Sequence, residues 1–191
     1  GTTSPGAKLH VAGPARMTDT LTLNPSGDQA LDVSTGSIYK GGALFIHTKG
    51  GADNTAVGRD ALASVTSGLV NTASGADALR NNTTGFVNTA SGAGALRYNT
   101  TGSYNTASGA DALRSNTAGS ANTASGVAAL RDNTTGYFNT ASGGAALLSN
   151  TTGNFNTASG YGALTALASG SSNIGNGANA GYFLTSGSNN I

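Results

Sequence analysis

Several residue types that usually build an enzyme or a membrane anchor are scarce in this chain. It has no cysteine, no tryptophan and no glutamate, and only 9% of its 191 residues are charged. The absence of cysteine excludes disulfide bonds and thiol chemistry. No apolar run approaches the ~20 residues that a membrane-spanning helix needs, and no charged segment followed by an apolar one opens the chain. We therefore expect no membrane insertion.

The charges that are present point away from nucleic acid and from catalysis. The formal net charge is +1, and no run of lysine or arginine provides a basic patch. Glycoside hydrolysis needs two carboxyl groups with different pKa values, whereas the aspartates of the repeats described below have equivalent surroundings. They are Asp60, Asp77, Asp111 and Asp132. We expect no enzyme activity, no catalytic residue and no cofactor.

A metal site is not predicted either. The only histidines are His10 and His47, and no His or Cys cluster with metal-ligand spacing occurs. In a trimer, three copies of His47 around an axis would suit a metal geometrically. A packed, neutral histidine in a strand is the preferred interpretation.

From Asn54 onward the sequence repeats with a 17-residue period, in units such as NTASGADALRNNTTGFV. Eight units follow without an insertion, and Asn190 begins a ninth. A short fixed period is typical of a solenoid, and a unit of this length is too short for a pair of helices. Glycine recurs at the fifth and fifteenth places, where positive φ would allow corners. Between these corners the segments NTAS and DALR have the length of short strands, so each coil is predicted to contain two strands and two turns.

Equivalent places of such coils stack at the inter-strand spacing of ~4.8 Å, so identical side chains form columns. Asparagine amides can hydrogen-bond along a column, and the first place is predicted to form a ladder of this kind. Its members are Asn54, Asn71, Asn88, Asn105, Asn122, Asn139, Asn156 and Asn173. A second asparagine recurs at the twelfth place, in Asn82, Asn99, Asn116, Asn133 and Asn150.

The predicted core is narrow, because each coil offers one leucine and a few alanines. The leucine column consists of Leu62, Leu79, Leu96, Leu113, Leu130, Leu147 and Leu164. These side chains bury little area against the conformational entropy lost when a whole coil is ordered. An isolated roll is therefore expected to be marginal. We infer a parallel homotrimer in which packing of three rolls buries the second, alanine column.

Residues 1–53 lack the 17-residue period and are predicted to form a separate β segment. The alternating segments KLHV, TLTL, ALDV and ALFIHT read as strands with one apolar face, separated by glycine and proline breaks. Large residues are few here too, so we expect strands shared between chains. The array occupies residues 54–191, with the boundary in residues 49–53.

One column carries charge, at the tenth place of four consecutive coils: Arg80, Arg97, Arg114 and Arg131. Charge laddering on the surface is the preferred interpretation, and binding of an anionic glycan is the alternative. A third possibility is ice binding by the regular hydroxyl array of the second place. That array includes Thr72, Thr89, Thr106, Thr123 and Thr140.

The units NTAVGRDAL and NTASGADALRNNTTG resemble the β-roll repeats of trimeric autotransporter adhesin heads, and more closely the 17-residue arrays of phage tail-fibre-like proteins. The opening GTTSPGAKLHVAG and the closing SNIGNGANAGYFLTSGSNNI resemble the segments that flank such arrays. Gly181 departs from the pattern by replacing the usual leucine. The resemblance implies an extracellular fibre on a cell surface or virion, which forms a homotrimer and contributes to adhesion or host recognition.

Overall fold

The computed structural model describes residues 37–40, 43–47 and 53–191. These residues form strands and turns but no helix, and the ten strands make one sheet in chain order. The strands are β1 Ser37–Lys40, β2 Ala43–His47, β3 Thr55–Val57, β4 Thr72–Ser74, β5 Thr89–Ser91, β6 Thr106–Ser108, β7 Thr123–Ser125, β8 Thr140–Ser142, β9 Thr157–Ser159 and β10 Ile174–Asn176. The predicted all-β, parallel β-solenoid with 17-residue coils is confirmed.

Strands β3 to β10 pair in parallel, each with the strand one coil further on. Thr72 aligns with Thr89 and Ala73 with Ala90, an offset of one repeat unit that recurs at every step. Parallel pairing in this register stacks equivalent places of the repeat. The side chains that recur at one place of the repeat therefore stack on one another in the structure, as predicted from the sequence.

Each coil contains one strand, so the prediction of two strands per coil is wrong. The DALR segment forms successive β-turns, in which Arg80 N donates to Asp77 O at 3.3 Å and Asn82 N donates to Leu79 O at 3.0 Å. Leucine at the ninth place has φ of 49–52° in seven coils. This left-handed conformation costs a non-glycine residue about 1–2 kcal/mol. Bonds to the neighbouring coil hold it, such as that from Leu79 N to Ala95 O at 3.0 Å.

The two recurrent glycines have different roles. At the fifth place φ lies between 118° and 139°, as predicted. At the fifteenth place the prediction of positive φ fails for the middle coils, since Gly85 and Gly102 do not adopt it. Glycine is needed there for close approach, because a Cβ on Gly102 would collide with the backbone oxygen of Gly119.

The core lies inside the coil and consists of the third-place alanine, the eighth-place alanine and the ninth-place leucine. In the strands the middle residue is buried and its neighbours are exposed. Ala90, Ala95 and Leu96 all have 0% exposure. A single chain therefore buries all three apolar columns, and the expectation that trimer packing buries an alanine column is wrong. Any case for a trimer must use a different surface.

A hairpin adjoins the first coil. Strands β1 and β2 pair antiparallel, and β2 continues antiparallel onto β3, with Ile46 opposite Val57 and His47 opposite Ala56. The predicted strand ALFIHT corresponds to β2. The predicted strands KLHV, TLTL and ALDV lie outside the described residues, and the domain boundary in residues 49–53 stays a prediction.

Candidate functional site

The first-place asparagines form a continuous ladder inside the coil. The backbone N and side-chain Nδ2 of Asn71 both donate to Asn54 Oδ1, at 2.8 and 3.1 Å. The same Nδ2 donates to Gly85 O at 2.9 Å. The pattern recurs as far as Asn190, which donates to Asn173 Oδ1. Because these amides are buried and engaged with each other, they stabilise the coil and are not accessible to a ligand.

The twelfth-place asparagines form a shorter ladder. Asn99 Nδ2 donates to Asn82 Oδ1 at 2.7 Å and to Gly102 O at 2.9 Å. The ladder spans the five coils from Asn82 to Asn150, and the twelfth place is Val65 in the preceding coil and Leu167 in the following one. Asn150 Oδ1 is therefore buried without a hydrogen-bond partner, because Leu167 offers no amide.

The leucine column lies entirely in the core. Leu62, Leu79, Leu96, Leu113, Leu130, Leu147 and Leu164 are each at most 2% exposed. Gly181 takes their place in the last coil with a φ of 61°. The last coil keeps the turn nevertheless, with Leu184 N donating to Gly181 O at 2.9 Å.

Each guanidinium of the arginine column lies within 4 Å of a carboxylate. Asp77 serves two of them, at 3.4 Å from Arg80 and 3.8 Å from Arg97. The other two pairs are Arg114 with Asp111 at 3.6 Å and Arg131 with Asp132 at 2.9 Å. This arrangement offsets the mutual repulsion of stacked arginines, and it lowers the positive charge that an anionic glycan would meet.

Two further contacts restrain the arginine column. The guanidinium carbons of Arg97 and Arg114 lie 5.3 and 5.7 Å from the ring centre of Tyr98, within the range of cation–π attraction. A two-bond contact joins Arg131 to Asp132 at 2.9 Å for each bond. That hydrogen bonding raises the pKa of Arg131 above its ordinary value. Binding of glycans by these arginines stays a prediction.

All charge in the array lies on one side of the coil. In residues 54–191 every charged side chain falls between the sixth and eleventh places, which we call the turn side. The nine residues are Arg59, Asp60, Asp77, Arg80, Arg97, Asp111, Arg114, Arg131 and Asp132. The strands and the remaining places carry none in any of the eight coils. Such a long uncharged surface on a polar protein is a candidate contact surface, because interface cores are depleted of charged residues.

The exposed face of the strands is a regular hydroxyl surface. In the TAS strands the threonine and serine are exposed on either side of a buried alanine. Among the described residues, these side-chain hydroxyls make no hydrogen bond to the protein. The face therefore presents two columns of free hydroxyls in parallel register.

An exposed apolar stripe runs along the sixteenth and seventeenth places, between the fifteenth-place glycine and the next strand. Its eight residues are each 41–58% exposed. They are Leu69, Val70, Phe86, Val87, Tyr104, Tyr137, Phe138 and Phe155. Sequence reasoning missed this stripe. The signal was available in the last two letters of each unit, which read LV, FV, SY, SA, YF and NF before turning polar.

No family model, curated protein or solved structure matches this chain. Its function must therefore be argued from its own geometry. The resemblance to fibre repeats stays an expectation.

A groove lies on the turn side of the last three coils. It has a volume of about 910 Å³ and is lined by residues that include Ala145, Tyr161, Gly162 and Tyr182. It lies where the arginine column has ended and where two places carry glycine, Gly162 and Gly181. Its lining residues include no Asp, Glu, His, Lys, Arg or Cys.

Two further features are absent from the described residues. No group of three or more His, Cys, Asp or Glu side chains there is placed to hold a metal ion. The same residues include no helix that is long and apolar enough to cross a membrane.

Proposed function

We propose that this chain is a segment of the structural shaft of a homotrimeric fibre, extracellular and exposed on a cell surface or virion. The observation that carries the proposal is the division of the coil into a charged turn side and uncharged remaining sides. A charged side suits contact with water, and a long uncharged side bearing an apolar stripe suits contact with other chains.

The internal structure fits the role of a shaft. Each step between coils combines backbone bonds with bonds from asparagine side chains, so adjacent coils are held at many points. Eight coils at ~4.8 Å per step extend about 38 Å. Units of this kind lengthen a fibre by repetition, because each coil is stabilised mainly by its two neighbours.

Adhesion and host recognition belong to this proposal as functions of the whole fibre. The ion pairs of the arginine column lower the positive charge that an anionic receptor would meet, which favours a shaft over an independent receptor-binding head. The three-chain stoichiometry comes from the resemblance to trimeric fibres.

The mass in solution tests the proposal. We expect light scattering at micromolar concentration to give three times the 18.5 kDa mass of one chain. A stable monomer of 18.5 kDa with an intact β signal in circular dichroism would overturn it. A point variant of the apolar stripe and one of the turn side, described below, then locate the contact.

A second candidate function is ice binding, favoured by the free hydroxyls of the strand face. A flat, regularly spaced hydroxyl array suits an ordered lattice of water. Thermal hysteresis that is lost in Thr106→Lys and kept in Ser115→Lys would support it. Burial of the strand face between chains, or an absence of thermal hysteresis in the unmodified protein, would exclude it.

A further inference from the structure

We infer that the apolar stripe is the seam of the fibre, at which three parallel chains in register face a common axis. This inference rests on the proposed function and names the surface, the partner and the direction. The partner is a second and third copy of this chain.

The stripe offers a large exposed apolar area for contact between chains. Eight large apolar side chains that are about half exposed present roughly 700 Å² per chain, given the area of such side chains. Each chain of a trimer meets two neighbours, so roughly 350 Å² of this area faces each one, which supplies the apolar centre of an interface of ~800 Å² per partner. Single exposed apolar residues are ordinary on a protein surface, but a contiguous patch of this size marks an interaction site.

The other sides of the coil suit this contact less well. The turn side carries nine charged residues, whose desolvation between chains would be costly. The strand face presents threonine and serine hydroxyls, which would lose hydrogen bonds to water. The stripe carries no charge, and its aromatic rings already pack on one another, with Phe86 and Tyr104 5.1 Å apart and Phe138 and Phe155 5.2 Å apart.

The distribution of side chains along the stripe favours parallel chains. Its first three and its fifth and sixth coils each carry at least one large apolar side chain, and the fourth carries the pair SA. The last two coils carry only polar residues there, Ser171 with Ser172 and Ser188 with Asn189. Antiparallel chains with aligned ends would place Leu69 and Val70 against Ser188 and Asn189. Parallel chains in register place apolar against apolar and polar against polar at every coil.

Single cysteines test the seam, because the natural chain has none. Ala121→Cys and Ser172→Cys place a thiol at the seventeenth place of the fourth and seventh coils. The controls are Ser115→Cys on the turn side of the fourth coil and Ser125→Cys on the strand face of the fifth. Each full-length variant is treated with a short bismaleimide, and the linked chains are counted on a denaturing gel. The mass of each variant before treatment is measured by light scattering.

We expect both seventeenth-place variants to cross-link to their own copies at least tenfold faster than both controls. A trimer in which Ala121→Cys does not cross-link, or in which a control cross-links faster, would overturn the seam and leave the proposed function standing. A trimer in which Ala121→Cys cross-links but Ser172→Cys does not would overturn the parallel register. Monomeric variants from a trimeric parent would show that the stripe is needed for assembly. A monomeric parent protein would overturn the proposed function and the seam together.

A charge placed in the stripe provides an independent measurement. Phe138→Arg brings three cations together at the axis, and we expect its mass to fall to that of a monomer with its circular dichroism retained. The matched control is Tyr161→Arg, an exposed aromatic residue outside the stripe, which should keep the mass of the parent. Equal masses for the two variants would overturn the seam.

Discussion

The five middle coils, residues 71–155, and the last two, residues 156–189, share one backbone but differ in their buried side chains. The middle coils have asparagine at the twelfth place, and the last two have Leu167 and Leu184. The turn bond is nevertheless the same, with Asn150 N to Leu147 O and Leu167 N to Leu164 O both at 3.1 Å. The coil therefore tolerates either a polar or an apolar column at this place.

The comparison separates what shapes the coil from what joins the coils. The turns and the glycines at the fifth and fifteenth places persist through both regions, so they set the path of the backbone. The twelfth-place ladder is confined to the middle coils, so it is an added connection between neighbours. Its end is visible as the unsatisfied Oδ1 of Asn150.

The largest loss of stability is expected from a substitution that disrupts both the backbone path of a coil and its core. Leu113→Asp puts a carboxylate into a column that is 0% exposed, in the middle of the array. Burial of an uncompensated charge is strongly destabilising, and we expect a loss of at least about 4 kcal/mol in the free energy of unfolding. Urea unfolding followed by circular dichroism measures this.

Asn116→Ser is the comparison for that variant, since it changes a buried residue of the same coil without adding a charge. It removes the bond to Asn99 Oδ1 at 2.7 Å, and a loss of about 1–3 kcal/mol is expected. Equal unfolding midpoints for the two variants would contradict the burial of Leu113.

The next largest loss of stability is expected from a collision between a new side chain and the backbone of the adjacent coil. In Gly102→Ala the new Cβ meets the carbonyl oxygen of Gly119, which cannot move without separating two coils. We expect a loss of about 2–4 kcal/mol, in the upper range for point variants. The control is Gly94→Ala, where equivalent coils already carry Ala128 and Ala145 with similar φ and where the Cβ meets only the end of the Asp111 side chain rather than backbone. A Gly102→Ala protein as stable as Gly94→Ala would show that the coils are not closely stacked.

The sequence was sufficient to predict the solenoid and its columns, because a strict period without insertions stacks every place on itself. Asn71 and Leu79 could be assigned to ladder and core from recurrence alone. The one-strand coil could not be predicted. Leucine disfavours positive φ, so nothing in the letters DALR indicates that Leu79 adopts it; bonds to the next coil impose that conformation.

The candidate contact surface was less visible for a related reason. The stripe varies from coil to coil, with Phe86 at the sixteenth place and Tyr104 and Phe138 at the seventeenth, so recurrence does not reveal it. The exposure of these side chains reveals the stripe once the fold is known. The role of Gly102 was also misassigned, because a glycine needed for close approach and one needed for positive φ look the same in a sequence.

A smaller difference in stability is expected between two variants that interrupt the twelfth-place ladder, one in its middle and one at its end. Asn116→Leu leaves Asn99 Oδ1 without its donor and creates a new unsatisfied acceptor within the ladder. Asn150→Leu removes the existing unsatisfied Oδ1 but deprives Asn133 Oδ1 of its bond at 2.9 Å, so the end of the ladder only moves by one coil. We expect Asn116→Leu to be less stable than Asn150→Leu by about 1–3 kcal/mol.

The two leucine variants are matched in volume change, and Leu167 shows that this place accommodates leucine. Chemical denaturation of both proteins under one set of conditions makes the comparison. A difference below about 0.5 kcal/mol would show that the ladder bonds contribute little beyond the shape of the column.

The smallest loss of stability is expected on the turn side, where the second to fifth coils carry ion pairs and the last three coils carry no charge. Arg131 and Asp132 are joined at 2.9 Å, but their side chains are 39% and 36% exposed, and exposed pairs contribute about 0–1 kcal/mol. Because the pKa of Arg131 is raised, the guanidinium loses its charge only at a pH above the one at which an ordinary arginine does. The contribution of the charged Arg131 to stability is therefore fully present below that pH. Near neutral pH, variation of pH should therefore leave the arginine side of the pair unchanged.

A double-variant cycle of Arg131→Gln and Asp132→Asn, measured at low and at high salt, tests this weak coupling. We expect a coupling free energy below about 1 kcal/mol that decreases with salt. A larger, salt-independent coupling would show that the pair stabilises the fold, as the asparagine ladders do.

A weak coupling leaves Arg131 able to exchange its carboxylate partner for an anionic glycan. The quadruple Arg→Gln variant of the column would then distinguish glycan binding from simple solvation, because loss of binding at unchanged stability is expected only from the former.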